Sequence, residues 1–223
     1  KSYAVGSTKK LKVYDNPNGE TTNGTFKEYT VRVANNTTPA ECNDSNFSET
    51  ACGFVVEFAD IVETRQMSST STNVGGWPAT EMRTYANGNF LNKLPAELRN
   101  VIKSTKVVSG HGSTTGETNF TTTDNIYLLG AHEVWKDGTS NRVSSIDTAY
   151  NQTRQLDYYV EKGVTTNNRS GAIKKNNGSS SRWWLRGASS NFNNNFLTVS
   201  DTGDWSYYAT RSYTGFAPAF RIG

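Results

Sequence analysis

The sequence predicts an α+β fold with mixed antiparallel sheets and two or three short helices, and three observations support this. Strand-like segments rich in Val, Ile, Phe and Tyr lie near both ends of the 223-residue chain, whereas helix-like patterns lie in its middle. Hydrophobic residues make up 34% and charged residues 19%, while Ser, Thr, Asn and Gly are abundant, which favours strands and long polar loops. Strands from the two ends can pair in one sheet.

Two strand patterns open the chain. Residues 29–33 alternate apolar and polar side chains, and GFVVEFADIVE (residues 53–63) is a longer apolar run. The polar loop between them holds both cysteines, Cys42 and Cys52. Their closeness favours a local disulfide in an exported protein, and the alternative is two free thiols in a reducing cell.

Three helices are predicted in the middle of the chain. Pro78 suits the first turn of a helix in GGWPATEMRTY, which Gly88 should interrupt. Pro95 begins a second helix in LPAELRNVIKST, where apolar residues are spaced for one face. A third helix should run from Asp147, as its N-cap, to Gly163.

The remaining segments predict strands and two long polar loops. Residues 105–108 and 126–129 are strand-like, and the segment between them is a loop rich in Gly, Ser and Thr. A second polar loop covers residues 165–181. After it come RWWLR, a hairpin in FLTVSDTGDWSYY with its turn at residues 201–203, and the terminal GFAPAFRI.

The order of the motifs GGWPATEMRTY, LPAELRNVIKSTKVVSGHG, IYLLGAHEVW, RWWLRGAS, VSDTG and GFAPAFRIG closely resembles the DUF6273 family of bacterial, mostly Firmicute, extracellular proteins. The resemblance covers about residues 31–223. It implies a C-type lectin-like fold, similar to formylglycine-generating-enzyme-like domains and to the variable proteins of diversity-generating retroelements. It also implies an N-terminal strand or extension at residues 1–28, a domain at 29–223 and a display region at 183–223.

In such variable proteins a reverse transcriptase rewrites adenines in a C-terminal repeat, and Asn codons are the usual targets. The resemblance therefore divides the C-terminal region into two sets of residues. One set is the scaffold, which comprises Trp183, Trp184, Leu185, Arg186, Phe196, Val199, Gly203, Ala209, Gly215, Phe216, Pro218, Ala219, Phe220, Arg221 and Ile222. The other set is the candidate ligand-binding surface, which comprises Ser189, Ser190, Asn191, Asn193, Asn194, Asn195, Ser200, Asp201, Asp204, Trp205, Ser206, Tyr207, Tyr208, Thr210, Ser212 and Tyr213.

The composition of this second set suits a binding surface. Tyrosine contributes rigid amphipathic contact area, and Ser and Asn supply adaptable hydrogen bonds. Trp205 follows a turn and is the tryptophan best placed for exposure and for stacking on a sugar, although packing in the core or at its rim is the favoured role of a single aromatic residue. Trp183 and Trp184 are adjacent on a strand, so they point to opposite faces of the sheet and at least one belongs to the core. The alternative is a polar loop in a stable surface domain that binds nothing.

Other chemistry finds little support in the sequence. The Glu-Pro-Asn, Gln-Pro-Asp and Trp-Asn-Asp triplets of calcium-dependent lectins are missing, and His111 and His132 lack partners at zinc-ligand spacing. Formylglycine-generating enzymes use C-terminal cysteines, whereas Cys42 and Cys52 lie in the N-terminal quarter. We therefore expect no catalytic residues, no metal and no cofactor.

The expected function is that of an extracellular or cell-surface binding domain, encoded by a bacterium or a phage. Its partner would be a protein or glycan on another cell, phage or host surface. A net charge of +3 without a dense Lys/Arg run argues against nucleic acid, and no segment approaches the ~20 apolar residues of a membrane span. The alternatives are a structural module of a surface protein and, with less support, a relative of formylglycine-generating enzymes.

Overall fold

Two five-stranded sheets form the framework of the chain in the computed structural model, which describes residues 3–223. The strands are β1 (Thr8–Tyr14), β2 (Phe26–Asn35), β3 (Val55–Phe58), β4 (Glu63–Arg65), β5 (Ile102–Lys103), β6 (Thr105–Ser109), β7 (Phe120–Asp124), β8 (Lys174–Asn176), β9 (Ser179–Ser181), β10 (Trp183–Ala188), β11 (Asn195–Val199), β12 (Trp205–Ala209), β13 (Thr214–Phe216) and β14 (Ala219–Ile222).

The first sheet has the order β1-β2-β3-β14-β5, and the second has the order β12-β11-β10-β13-β4. All named pairings are antiparallel except that between β10 and β13. The strands nearest the two ends of the chain share the first sheet, as predicted, with β2 and β3 between them. The mixed, sheet-rich α+β class is thereby confirmed. β1 pairs along its length with β2, so the predicted extension joins the same sheet, and Lys1 and Ser2 lie outside the described residues.

The helices are short and lie mostly in the middle of the chain. The α-helices are α1 (Glu81–Tyr85), α2 (Ala96–Arg99), α3 (Ala131–Val134) and α4 (Asp157–Glu161). A π turn covers Ala86–Phe90, and 3-10 turns cover Ala40–Asn43, Glu49–Ala51, Trp77–Ala79, Leu91–Lys93, Tyr150–Gln152 and Ser170–Ala172.

The core holds most of the large aromatic side chains. Trp77, Trp135, Trp183 and Trp184 are fully buried, whereas Trp205 is half-buried. In the same core, Phe90 contacts Phe58 and Phe216 edge-on, with ring centroids 5.7 and 4.9 Å apart. Such edge-to-face pairs add to the stabilisation that burial alone supplies.

Several predicted helix bounds are wrong. Gly88 does not interrupt the first helix, because the chain continues from α1 through the π turn, and open space surrounds the Gly88 Cα. The second helix is only one turn long, since Ile102 leaves it to pair with Ile222 in β14. The third begins at Asp157 rather than Asp147, although Gly163 ends it with a positive φ of 62° as predicted.

Two predicted loops contain strands. β7 lies within the segment 110–124 and pairs with β6, while β8 and β9 form a hairpin within 165–181. The hairpin turn is Asn177-Gly178, and both residues have positive φ, which favours these two residue types. In contrast, residues 126–129 form no strand among the described residues: Tyr127 makes an isolated bridge with Ala219, and Arg186 donates to the carbonyl oxygens of Leu128 and Leu129 from its side chain and its backbone N–H respectively.

The predicted disulfide is confirmed, since Cys42 and Cys52 are bonded to each other. The bond closes the loop that leads from β2 towards β3.

Among residues 3–223, no helix has the length and apolar character to cross a bilayer.

Candidate ligand-binding surface

The candidate surface rests on β10, a strand in which every residue is buried. Trp183 and Trp184 point to opposite faces of the sheet, yet both rings are covered. The Trp183 Nε1 donates to the carbonyl oxygen of Ala172 at 3.1 Å, and the Trp184 Nε1 donates to that of Arg65 at 2.9 Å. Both polar atoms of these rings are therefore satisfied inside the protein.

Arg186, on the same strand, serves the fold. Its guanidinium is buried and donates to the carbonyl oxygens of Val108 (2.8 Å) and Leu128 (3.0 Å) and to the Glu133 carboxylate (2.7 Å). Burial alone would raise the pKa of Glu133, but the adjacent Arg186 outweighs it and lowers that pKa. This charge pair is fully used inside the protein and is not available to a ligand.

Most of the predicted scaffold is buried. Ala209, Arg221 and Ile222 are half-buried, and the other scaffold residues are buried. Arg221 also binds within the fold, since its Nη1 lies 2.7 Å from a Glu49 carboxylate oxygen.

The segment that follows β10 and reaches the first residue of β11, which we call the amide loop (residues 189–195), is held by one buried residue. The Asn73 Nδ2 donates to the carbonyl oxygens of Ser189 (3.3 Å), Phe192 (2.7 Å) and Asn195 (2.9 Å). The Asn73 backbone N–H donates to the carbonyl oxygen of Asn193 at 2.8 Å. Asn73 therefore fixes the backbone of the amide loop from beneath.

Sequence reasoning missed Asn73. The residue stands in the polar stretch STSTNVGG, where nothing distinguishes it from its neighbours, and its partners lie more than a hundred residues away along the chain. The one usable signal is local: Gly75 and Gly76, which follow closely, both take positive φ and mark an unusual backbone there.

The asparagine side chains of the amide loop are left largely free by the fold, whereas the Ser190 Oγ donates to the Ile146 carbonyl oxygen at 3.2 Å. Asn191 and Asn193 are exposed and Asn195 is half-buried, and among residues 3–223 none of their side chains has a hydrogen-bond partner. Within the described part of the chain, the Asn194 Nδ2 makes one long contact, of 3.4 Å with the Ser71 Oγ. Asn73 thus fixes the loop backbone, whereas the four amide groups remain available.

The hairpin β11–β12 places the candidate tyrosines on two different faces. Because β12 is an edge strand with alternating side chains, Tyr207 and Tyr208 point in opposite directions. The Tyr207 ring lies 4.5 Å from that of Phe192 in the amide loop, whereas the Arg182 guanidinium lies 4.9 Å from the Tyr208 ring. The predicted residues therefore form two neighbouring patches around one strand rather than a single flat surface.

Three predicted surface residues are buried, which corrects the prediction for Ser189, Ser200 and Thr210. The Thr210 Oγ1 donates to the Thr70 carbonyl oxygen at 2.7 Å, and the Ser200 Oγ accepts from the backbone N–H of Thr202 and Asp204 in the hairpin turn. Ser189 is covered where β10 enters the amide loop. Small polar residues of this kind suit buried turns as well as surfaces, so composition could not separate the two roles.

The other predicted residues vary in exposure. Tyr213 is 72% exposed, Tyr208 is 44% exposed, and Asp201 is also exposed. Asp204 is half-buried and pairs with the Arg169 Nη1 at 2.6 Å. The remaining half-buried residues are Ser190, Asn194, Trp205, Ser206, Tyr207 and Ser212.

Neither histidine joins this surface. The His132 ring stacks on that of Tyr150 with centroids 3.8 Å apart, and the His111 Nδ1 lies 2.7 Å from the Gly112 carbonyl oxygen. Burial lowers the pKa of His132. Within residues 3–223, no three His, Cys, Asp or Glu side chains gather in a way that could hold a metal ion.

Comparison with known families gives one match, to the domain of unknown function DUF6273, over residues 55–223. The match begins later than the residue near 31 that the resemblance implied, and the domain boundary between residues 28 and 29 remains a prediction. No curated protein and no solved structure matched the chain.

Proposed function

The chain belongs to the DUF6273 family, and on that premise we propose that it is an extracellular binding domain whose amide loop and β11–β12 hairpin contact a protein or glycan on another cell, phage or host surface. The proposed contact residues are those of the candidate surface that remain exposed or half-buried. Ser189, Ser200 and Thr210 support them from inside.

One observation carries this proposal: the fold fixes the backbone of the amide loop and makes almost no use of its asparagine side chains. Asn73 binds four backbone oxygens of the loop, while the amide groups of Asn191, Asn193 and Asn195 have no partner among the described residues. A rigid backbone that presents free polar groups loses little entropy when it binds, which is the advantage of a preorganised site. Tyr207 contacts the loop through Phe192, and the exposed Tyr208 and Tyr213 follow in the same chain segment, which adds the residue type that concentrates interface energy.

We extend the proposal to a more specific fold and protein class. The pattern of scaffold and display residues supports a C-type lectin-like fold and a variable protein of a diversity-generating retroelement, from a Firmicute or its phage. The separation of a buried scaffold from a solvent-facing set is what such a protein requires, because substitutions in the second set leave the packing intact.

A non-enzymatic role and an extracellular location belong to the same proposal. Cys42 and Cys52 are joined to each other, so neither supplies the free thiol that formylglycine-generating chemistry needs. Disulfides persist mainly in oxidising compartments, which supports export.

Binding by a matched pair of variants tests the proposal. A glycan array and a panel of purified surface proteins are screened with the wild type and with a quadruple variant, in which Asn193, Asn194, Tyr207 and Tyr208 become Ser. The control variant changes three exposed residues outside the C-terminal region, Tyr3, Asn43 and Asn100, to Ser. We expect the quadruple variant to lose at least tenfold in affinity for every ligand of the wild type, and the control to lose none.

If a ligand of the wild type binds the quadruple variant and the control variant equally well, its binding site lies elsewhere on the protein. No ligand at all in either screen favours the structural-module alternative. The retroelement part has its own test in the coding DNA, where a nearby template repeat should match the codons of residues 183–223 except at adenines. Its absence would leave an ordinary DUF6273 surface domain.

A further inference from the structure

A concave surface lies at the β4 edge of the second sheet, which is the edge opposite to β12. Two adjoining recesses, of about 600 and 130 Å³, share the residues Lys27, Tyr29, Val62 and Glu63 and so form one continuous groove. β2 supplies one wall, β4 the floor and the turn of the β8–β9 hairpin the rim, while Tyr85 of α1 closes the inner end. We call this the tyrosine groove, after Tyr29 and Tyr85. It is independent of the proposed function.

Glu63 leaves a polar atom unused in this groove. Its Oε1 is buried and has no hydrogen-bond partner among the described residues. The Tyr85 hydroxyl also contacts this carboxylate but leaves the Oε1 itself without a donor. Arg65, on the same strand as Glu63, is engaged elsewhere, with its guanidinium 3.6 Å from the centre of the Tyr85 ring. A buried carboxylate oxygen without a donor is destabilising, and native proteins keep few of them.

The two tyrosine rings are fixed in place. The Tyr29 hydroxyl donates to the Val62 carbonyl oxygen at 3.0 Å, and its ring meets that of Phe58 edge-on at 6.1 Å. The centroid of the Tyr85 ring lies 5.8 Å from that of Phe216. Burial has the largest effect on the Tyr85 hydroxyl and raises its pKa, and contact with the Glu63 carboxylate raises that pKa further. Both residues are half-exposed, but Arg65 covers a face of the Tyr85 ring, so Tyr29 presents the more open aromatic surface.

Polar groups of balanced charge complete the groove. Asn176 and Asn177 bring two side-chain amides that have no partner within residues 3–223. The cations Lys27 and Lys93 lie opposite the carboxylates of Asp15, Glu28 and Glu63. This near balance suits a neutral ligand, because a cation would meet the two lysines and an anion would meet the three carboxylates.

We propose that the tyrosine groove binds a neutral carbohydrate of one or two sugar units. A sugar offers an apolar ring face for Tyr29 and several hydroxyl groups, one of which donates to the Glu63 Oε1. The free amides of Asn176 and Asn177 bind further hydroxyls at the rim. Aromatic faces combined with a few convergent polar groups are the usual composition of a small-molecule site.

Saturation-transfer NMR tests this with four defined probes: the methyl glycosides of glucose, galactose, mannose and N-acetylglucosamine. At least one should receive saturation from the wild type. Glu63→Gln should weaken its binding about tenfold, since a hydrogen bond to a charged acceptor is replaced by one to a neutral amide. Glu161→Gln, an exposed carboxylate on α4, is the matched control and should bind as the wild type does.

Two further measurements keep the outcome decisive. Asn177→Gly preserves the positive φ of the turn and should also weaken binding, so the test survives if Glu63→Gln folds poorly. The quadruple variant of the amide loop should bind the same glycoside unchanged, which separates this site from the proposed one. The groove proposal is overturned if none of the four glycosides binds, if Glu63→Gln and Asn177→Gly both bind like the wild type, or if tetramethylammonium displaces the bound glycoside.

Discussion

Asparagine plays opposite parts in two regions of this molecule. Beside α1, the Asn87 Oδ1 accepts from the backbone N–H groups of Asn125 (2.7 Å) and Ile126 (3.0 Å), and its Nδ2 donates to the Ile126 carbonyl oxygen at 2.9 Å. In the amide loop, Asn191 and Asn193 make no such bonds with residues 3–223. The fold depends on the first amide and is indifferent to the others, so the same residue type is structural in one place and available for binding in the other.

The largest effects should come from the scaffold. Trp184→Ala removes a fully buried ring and its bond to Arg65, and Phe220→Ala empties a similar space, so each should cost about 3 to 5 kcal/mol of unfolding free energy. Chemical denaturation measures this. Trp205→Ala is the matched control, because that ring is only half-buried. A cost for Trp205→Ala equal to that for Trp184→Ala would remove the distinction between scaffold and surface.

A buried charge cluster offers the next largest effect. The Glu57 carboxylate is fully buried and binds the Arg32 Nε and the Lys174 Nζ, each at 2.8 Å. Burial would raise its pKa, but the two cations outweigh it and lower the pKa from 4.5 to about 2. Burial also lowers the pKa of Lys174 to about 8, so the shift of Glu57 alone does not measure the stability of the cluster. Removing the carboxylate would leave two buried cations unpaired, which costs about 3 to 5 kcal/mol.

The sign of the pH dependence follows from that lowered pKa. Stability from Glu57 is fully present above pH 4.5 and is lost as the pH falls towards 2, because the unfolded chain binds the proton first. Glu57→Gln should destabilise the protein at pH 7 and flatten the stability profile between pH 4.5 and 2. If the unfolding free energy of the variant falls between pH 4.5 and 2 as steeply as that of the wild type, other carboxylates govern acid unfolding.

Asn73 and Asn87 allow a direct comparison of the two regions. Each side chain makes several hydrogen bonds to backbone groups, so Asn73→Ala and Asn87→Ala should each cost about 2 to 3 kcal/mol. They should differ in where the chain loosens. Hydrogen exchange should speed up in residues 189–195 for Asn73→Ala and around residues 125–126 for Asn87→Ala. Equal exchange rates in the amide loop of the two variants would show that Asn73 does not fix the backbone of that loop.

The sequence predicted the strands of the C-terminal region well, because residues such as Trp183, Leu197 and Phe220 combine strand preference with burial. It predicted the helices poorly. Ile102 fits the apolar face of a helix, yet its pairing with Ile222 draws it into the first sheet, a long-range preference that local spacing cannot reveal. Most of the candidate surface residues are exposed or half-buried, whereas the burial of Ser189 and Thr210 depends on partners such as Thr70 that are distant in sequence.

The smallest effect on stability should come from the surface set itself. In the quadruple variant Asn193, Asn194, Tyr207 and Tyr208 become Ser, which removes the long Asn194 bond to Ser71 and the interactions of the two tyrosine rings with Phe192 and Arg182. Such exposed or half-buried sites should together cost about 1 to 2 kcal/mol. Asn191→Ser alone should change the unfolding free energy by less than about 0.5 kcal/mol, since no bond from this side chain to the described residues is broken.

Thermal and chemical unfolding of these two variants decides whether the region is a replaceable surface. If the quadruple variant unfolds at room temperature, these residues belong to the core, and the comparison between the two kinds of asparagine fails. If it folds but binds every ligand of the wild type unchanged, the amide loop is a surface without a binding role. A folded variant that no longer binds its ligand is the one combination expected of a rigid scaffold that carries exchangeable side chains, because only there do stability and binding depend on different residues.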